Sequence, residues 1–255
     1  MEIRLKQIQQ FLYTQGASSV EELARLTGSS PATVRRDLAK LEEAGIIERT
    51  HGGARLAEAS GLEVAFSLRE HRQLEQKRAI AAAAYRLLRP ESTVLMDAGT
   101  TVLQLARAIR LEPLPLTVIT NGLALAQELT GVRGIRVIFV GGLLREDNLS
   151  SVGPYAELLL EEFFCDQLFL GATAVSPEGE MRTLDAAEAA INKKMLSRAN
   201  ERILLADSSK FGKTGPFRVS GLQALTQVIS DGGLEVAWEE RLQRWGIRLE
   251  RGRVG

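Results

Sequence analysis

From Thr93 onward the chain repeats one move: a short apolar, strand-like run ends in a turn of small or polar residues, and helical stretches intervene. Residues 93–96 run into Asp97-Ala98-Gly99-Thr100-Thr101 and a helix over 102–110. Residues 116–120 run into Asn121-Gly122 and a helix over 123–129. Residues 135–140 end at Gly141-Gly142, and residues 167–170 end at Gly171-Ala172. A helix over 186–199 precedes a strand over 202–206 and the loop Asp207-Ser208-Ser209-Lys210. A strand over 227–230, a helix over 234–245 and a strand over 247–249 follow. Strands alternating with helices predict an α/β unit, a mainly parallel sheet covered on both faces.

The first 57 residues follow a different period. Leu5, Ile8, Phe11 and Leu12 recur at helical spacing, and Gly16 stops the stripe. Ser19 with Glu22 forms a capping box ahead of Val20, Leu23 and Ala24. Gly28 breaks the chain, and Ser30-Pro31 opens a third helix whose Val34, Leu38 and Leu41 share one face. Ala44-Gly45 ends it. Residues 46–49, then His51-Gly52-Gly53, then 54–56 read as a short hairpin. Three helices, the second and third joined by a tight turn, followed by a two-stranded wing, describe a winged helix-turn-helix. The expected organisation is this mainly α domain over 1–57, a linker over 58–76 and the α/β unit over 77–255.

Composition closes off several function classes. Lys+Arg and Asp+Glu both number 32, so a polybasic chain is excluded while a local basic surface is not. One cysteine, Cys165, forbids an internal disulfide framework and a cysteine-based zinc finger, and two histidines make a metal cage improbable. Residues 1–6 have no apolar signal core, and the longest apolar run, 79–85, is too short to span a bilayer. The expectation is a cytoplasmic protein with no membrane partner, no metal and no cofactor.

On the third helix, Ala32, Thr33, Arg36 and Lys40 lie opposite the apolar face, with Arg35 on the flank. Small residues at a helix N-terminus allow close approach to base edges, arginine binds guanine bidentately, and lysine neutralises phosphate. Arg49, His51 and Arg55 of the wing would add backbone or minor-groove contacts. Two readings stay open, a DNA-reading face and a solvated one, since Asp37, Glu42, Glu43 and Glu48 lie among the basic residues. Asp97–Thr101 is similarly open: a glycine turn at a helix start is an anion site or a simple cap. It matches neither the Walker nor the dinucleotide fingerprint. The other strand-end loops, Asn121-Gly122, Gly141-Gly142, Gly171-Ala172 and Asp207-Ser208-Ser209-Lys210, would converge with it on one crevice.

Ser30-Pro31-Ala32-Thr33-Val34-Arg35-Arg36-Asp37-Leu38 and Glu48-Arg49-Thr50-His51-Gly52-Gly53-Ala54 resemble the recognition helix and wing of the DeoR family of bacterial transcriptional regulators. The resemblance continues through Asp97–Thr101, Thr120–Gly122, Val140–Arg145, Ser150–Gly153, Phe169–Ala172 and Asp207–Gly212. It implies a DNA-binding head and a sensor domain related in fold to ribose-5-phosphate isomerase and CoA-transferase-like proteins. The implied function is a regulator of carbohydrate genes, expected to be a repressor, answering to a phosphorylated sugar. Operator double-stranded DNA and further copies of the chain, as a dimer or tetramer, are the implied partners. DNA contacts are expected from Ser30, Ala32, Thr33, Arg35, Arg36, Lys40, Arg49, His51, Gly52 and Gly53. Effector contacts are expected from Asp97, Gly99, Thr100, Thr101, Asn121, Gly141, Gly142, Arg145, Ser151, Gly153, Glu188, Lys193 and Lys210. The isomerases follow Gly-Ala with a catalytic aspartate, whereas Thr173-Ala174 stands here, so no catalytic residue is expected. The rival reading is a sugar-phosphate isomerase or deaminase with an appended DNA-binding head.

Overall fold

The computed structural model describes residues 2–15, 17–43, 46–50, 52–56, 66 and 69–253. Gly16, Ala44, Gly45, His51 and most of the expected linker lie outside the described residues. The chain divides into two compact units, Met1–Arg72 with Glu146–Asn148, and Gln73–Arg145 with Leu149–Gly255.

In the first unit, α1 (Glu2–Gln15), α2 (Val20–Thr27) and α3 (Pro31–Glu43) pack around Ile8, Leu12, Leu23, Val34 and Leu38. The capping box forms: Ser19 Oγ accepts the Glu22 N–H at 3.2 Å, and Glu22 Oε2 accepts the Ser19 N–H at 3.0 Å. Gly28, at φ 61°, ends α2 in the left-handed conformation that lets α3 leave at a sharp angle. Ser30 Oγ accepts the Thr33 N–H at 3.2 Å and so caps α3. The wing strands β2 (Ile47–Thr50) and β3 (Gly53–Leu56) are joined by a third that sequence reading missed, β1 (Ala17–Ser19), giving the order β1-β3-β2. Asp37, read with the surface charges, is instead buried. The Arg4 guanidinium donates to it at 2.5 and 3.2 Å, tying α1 to α3.

The second unit opens with α4 (Leu74–Tyr85), which begins inside the expected linker and whose Lys77 is buried. Seven strands form one parallel sheet: β4 (Ser92–Met96), β5 (Leu116–Thr120), β6 (Ile135–Phe139), β9 (Cys165–Gly171), β12 (Ala199–Leu205), β14 (Gln227–Asp231) and β15 (Arg248–Gly252). Their order is β15-β14-β12-β9-β4-β5-β6. All five residues of β14 are buried, so both faces are covered there. The crossover helices are α5 (Thr100–Leu111) and α6 (Leu123–Leu129), then α7 (Pro154–Glu161), α8 (Ala186–Leu196) and α9 (Val236–Arg244).

Two smaller sheets went unread in the sequence. One is the hairpin of β7 (Leu143–Arg145) and β8 (Ser150–Val152). The other is an antiparallel sheet of β10 (Ala174–Val175), β11 (Glu180–Thr183) and β13 (Phe217–Gly221). The helix expected over 186–199 stops at Leu196, because Ala199 already pairs with Cys165 in the parallel ladder. No helix among the described residues is long and apolar enough to cross a membrane.

Gly53 shows how tightly the first unit is built: a Cβ there would sit 2.1 Å from the Ser18 carbonyl oxygen. Gly53→Ala should therefore push β1 from β3 and cost ~1–3 kcal/mol, as overpacking does. Calorimetry should show a transition of the first unit lowered by several degrees, with the second unit unmoved; an unchanged transition contradicts the close approach.

Candidate functional site

The parallel sheet reverses its direction of growth between β4 and β9: β5 and β6 extend one side, while β9 and β12 extend the other. Loops at the carboxyl ends of two such strands splay apart and leave a crevice. Here the crevice is bounded by Asp97-Ala98-Gly99 after β4 and by Gly171 at the end of β9. A Cβ on Gly99 would lie 3.4 Å from the Gly171 Cα, an ordinary contact, and a tighter 3.0 Å from Asp97 Oδ1, so the two loops lie close together here.

Asp97 holds them together. Its carboxylate is buried, with Oδ1 accepting the Gly99 N–H at 3.0 Å, and it also accepts from the backbone of Gly171. Burial pushes the carboxyl up to about 7, and the nearby Glu188 charge adds to the rise, while the two backbone donors oppose it. The expected effector residue Asp97 is thus turned inward, a brace for the loop more than a surface for a ligand. Gly99 is extended, at ψ 142°, and leads into α5. Thr100 is half-buried and Thr101 buried, so Thr100 is the more accessible hydroxyl at the helix end. The positive end of α5 lies at this turn.

The next loop is locked to the first: a Cβ on Gly122 would fall 2.9 Å from the Ala98 Cα. Asn121 is buried there. Its Nδ2 donates to the Ser151 carbonyl at 3.0 Å, and its Oδ1 has no hydrogen-bond partner. Ser151 donates its N–H to the Asn121 carbonyl at 2.8 Å and its hydroxyl to the Val140 carbonyl. On the paired strand, Arg145 Nη1 lies 3.1 Å from Asp185 Oδ1 and 3.0 Å from Glu188 Oε2. Asp185 in turn caps α8 by accepting the Glu188 N–H at 2.8 Å.

Of the expected effector residues, the structure links Asp97, Gly99, Asn121, Ser151, Arg145 and Glu188 through these contacts. Gly141 faces open space, while a Cβ on Gly142 would strike the Val152 carbonyl oxygen at 2.7 Å, and Gly153 turns the chain into α7. Lys210 is half-buried at the end of β12. Asp207 and Asp231 hold that turn: Asp207 accepts the Ser209 N–H at 3.1 Å, and Asp231 accepts the Ser208 N–H at 2.6 Å. Lys193 is exposed; five residues past Glu188, it leaves the helix face that Glu188 occupies. Sequence reading placed the Gly171-Ala172 loop among those meeting at the crevice but missed Asp185, although Asp185 carries the N-cap signal just before the helical stretch.

In the first unit, Arg35, Arg36 and Lys40 are exposed along α3, with Ala32 exposed and Thr33 half-buried at its start. Arg35, Arg36 and Arg49 have no ionic partner among the described residues. Arg55, by contrast, is tied to Glu48 at 2.5 Å, which removes it from the free cations of the wing. The hydroxyls of Ser30 and Thr33 lie 2.9 Å apart at the helix cap. Gly52 is exposed at the wing's turn and Gly53 is buried against Ser18, a structural place and not a contact surface. His51 lies outside the described residues.

Residues 4–60 match the DeoR-like helix-turn-helix domain, and residues 72–232 match the DeoR C terminal sensor domain. The chain belongs to the DeoR family. This DeoR-family chain is 34% identical over 248 residues to a putative aga operon transcriptional repressor of Escherichia coli O157:H7, covering 96% of this chain and 92% of that protein. It is 36% identical over 246 residues to the HTH-type transcriptional regulator GlpR of Haloferax volcanii, covering 96% of each. Among solved structures, ribose 5-phosphate isomerase A from Neisseria gonorrhoeae aligns with a TM-score of 0.40 and 16% identity over 53% of this chain and 52% of that chain. The DeoR family is one of transcriptional regulators, not of enzymes, and its head is a DNA-binding helix-turn-helix.

Asp97 gives the DeoR sensor crevice a pH signature. An anion on the Gly99–Thr101 turn would raise the Asp97 carboxyl above about 7. The occupied site then holds more protons than the empty one, so binding takes up a proton in that window. Affinity for a phosphate monoester should fall between pH 7 and 8.5, by up to ~tenfold per pH unit. Calorimetry in two buffers of different ionisation enthalpy should register the uptake; an affinity flat or rising over that range contradicts it.

Proposed function

We propose that this DeoR-family chain is a DNA-binding transcriptional repressor of carbohydrate genes. It acts as a homo-oligomer and is released from its operator by a phosphorylated sugar bound in the sensor crevice. The observation that carries the effector reading is the Gly99–Thr101 turn at the start of α5, placed where the sheet reverses and braced from within by Asp97. A phosphate there gains backbone N–H bonds and the positive helix end. The sugar end meets a different chemistry: the unpaired Asn121 Oδ1 and the Arg145–Glu188 pair offer acceptors and donors to hydroxyls. Gly141 leaves room beside them, and Lys210 adds a cation from the β12 turn. The relatives' names, a transcriptional repressor and a transcriptional regulator, support the gene-regulatory role.

On the DNA side, Arg36 and Lys40 divide the work. Arg36 reads base edges from the exposed face of α3; Lys40, one turn on, meets phosphate. Arg36→Ala should weaken operator binding by ~1–3 kcal/mol and relax discrimination at one base pair. Lys40→Ala should weaken binding to all DNA alike and flatten the salt slope. Unchanged operator affinity and footprint for Arg36→Ala would remove it from the reading face.

For the effector, titration calorimetry compares a sugar phosphate with its unphosphorylated parent. Two charge-assisted bonds are worth on the order of 3–6 kcal/mol, a hundredfold or more in affinity. Thr100→Val keeps the shape and removes one hydroxyl, so it should narrow that gap while operator binding stands. Equal affinity for the two compounds refutes the phosphate site.

A further inference from the structure

Residues 101–106 of α5 are all buried, and all but Thr101 and Gln104 are apolar. Gln104 is 5% exposed, and its Nε2 has no hydrogen-bond partner among the described residues. Buried polar groups are paired with few exceptions, because an unpaired amide N–H forfeits its hydration and gains nothing for it. Helix formation does not ask for a glutamine here either: leucine or methionine propagates a helix as well and suits a run with Val102, Leu103, Leu105 and Ala106 better. In a helix, residues four apart share a face, and a long side chain leans back toward the N-terminus over the residues three and four before it. For Gln104 these are Thr101 and Thr100. The rise over four residues is about 6 Å, so a glutamine reaching back brings its amide over the first turn of α5. That turn starts at Gly99, in the crevice where the sheet reverses.

We propose that Gln104 is a ligand-contacting residue of the crevice, its Nε2 donating to an oxygen of the phosphate monoester held at the start of α5. The inference rests on the effector reading and adds to it a donor from outside the Gly99–Thr101 turn. A phosphate dianion only accepts hydrogen bonds, so every group that holds it must donate. The backbone N–H groups and the Thr100 hydroxyl meet it from the helix end. Gln104 meets it from the side, one turn further in. Asn121 Oδ1, the unpartnered atom at the neighbouring strand end, is by contrast an acceptor, of use to a hydroxyl and not to a dianion. The donor and the acceptor thus sort the two ends of a sugar phosphate. The Gln104 amide is unpaired in the empty site and paired in the occupied one, so its hydrogen bond adds to affinity and not to the stability of the empty chain.

Two measurements on the full-length chain test this: titration calorimetry with inorganic phosphate, and the thermal midpoint of the phosphate-free protein. Gln104→Met keeps the length of the side chain and deletes the donor. It should weaken phosphate binding by about tenfold or more, the equivalent of one charge-assisted bond. Its midpoint without phosphate should equal or exceed that of the wild type, since no hydrogen bond is lost and an unpaired amide leaves the interior. Gln104→Glu puts an anion where the donor stood and should abolish phosphate binding. A glutamine that only supports the fold gives the opposite pattern, a lowered midpoint with phosphate affinity intact. A lowered midpoint for Gln104→Met, whatever its affinity, overturns the proposal, because it shows that the amide is already bonded in the empty site. Equal phosphate affinity for the wild type and Gln104→Met overturns it too, and leaves the effector reading standing. A wild type that binds no phosphate overturns both together. If Gln104→Glu does not fold, Gln104→Met alone decides.

Discussion

A single buried carboxylate joins the two halves of the sensor sheet at its carboxyl end. Asp97 accepts the N–H of Gly99 from its own loop and a backbone donor at Gly171 from the neighbouring strand. The two glycines lie close together there, and a Cβ on Gly99 would come within 3.0 Å of Asp97 Oδ1. Burying a carboxylate is costly unless donors satisfy it, and here the cost shows as a carboxyl pushed up to about 7. The arrangement fixes the start of α5 in space. A loop braced from within keeps its outward side for something else.

The second ring of contacts passes from that crevice to the hairpin. Arg145 stands between the carboxylates of Asp185 and Glu188, and Glu188 also acts on Asp97. Asn121 and Ser151 bind the hairpin to the end of β5 by two hydrogen bonds, from Asn121 Nδ2 to the Ser151 carbonyl and from the Ser151 N–H to the Asn121 carbonyl. An anionic group entering beside Arg145 competes with carboxylates already in place. The hairpin is held in the observed arrangement by the protein's own acids.

How much of this the sequence carried depended on the range of the interaction. Elements set by local signals were legible: the capping box at Ser19 and Glu22, the left-handed Gly28, and the alternation of strands with helices. Strands of two to five residues such as β1, β10 and β13 have no periodicity to read and exist only through their partners. Asp37 looks like any surface acid in a charged helix, because Arg4, which buries it, lies 33 residues away. The helix expected through Ala199 yields to the parallel ladder with Cys165, a tertiary preference stronger than local helix propensity. The site divided in the same way. The glycine turn at 97–101 was visible as a motif, but the inward role of Asp97 was not. Lys193 matched a pattern while its place on α8 turns it to solvent.

Operator binding followed by fluorescence anisotropy, with and without a panel of phosphorylated sugars, tests the central claim most directly when run on the wild type and on Gly99→Asp. That substitution places a carboxylate on the crevice turn, where an anion would sit. The expected result is that one phosphorylated sugar lowers operator affinity of the wild type, while the variant binds the operator with wild-type affinity and ignores the compound. A variant that responds as the wild type does, or a wild type indifferent to every phosphorylated sugar, contradicts a sensor built on this turn.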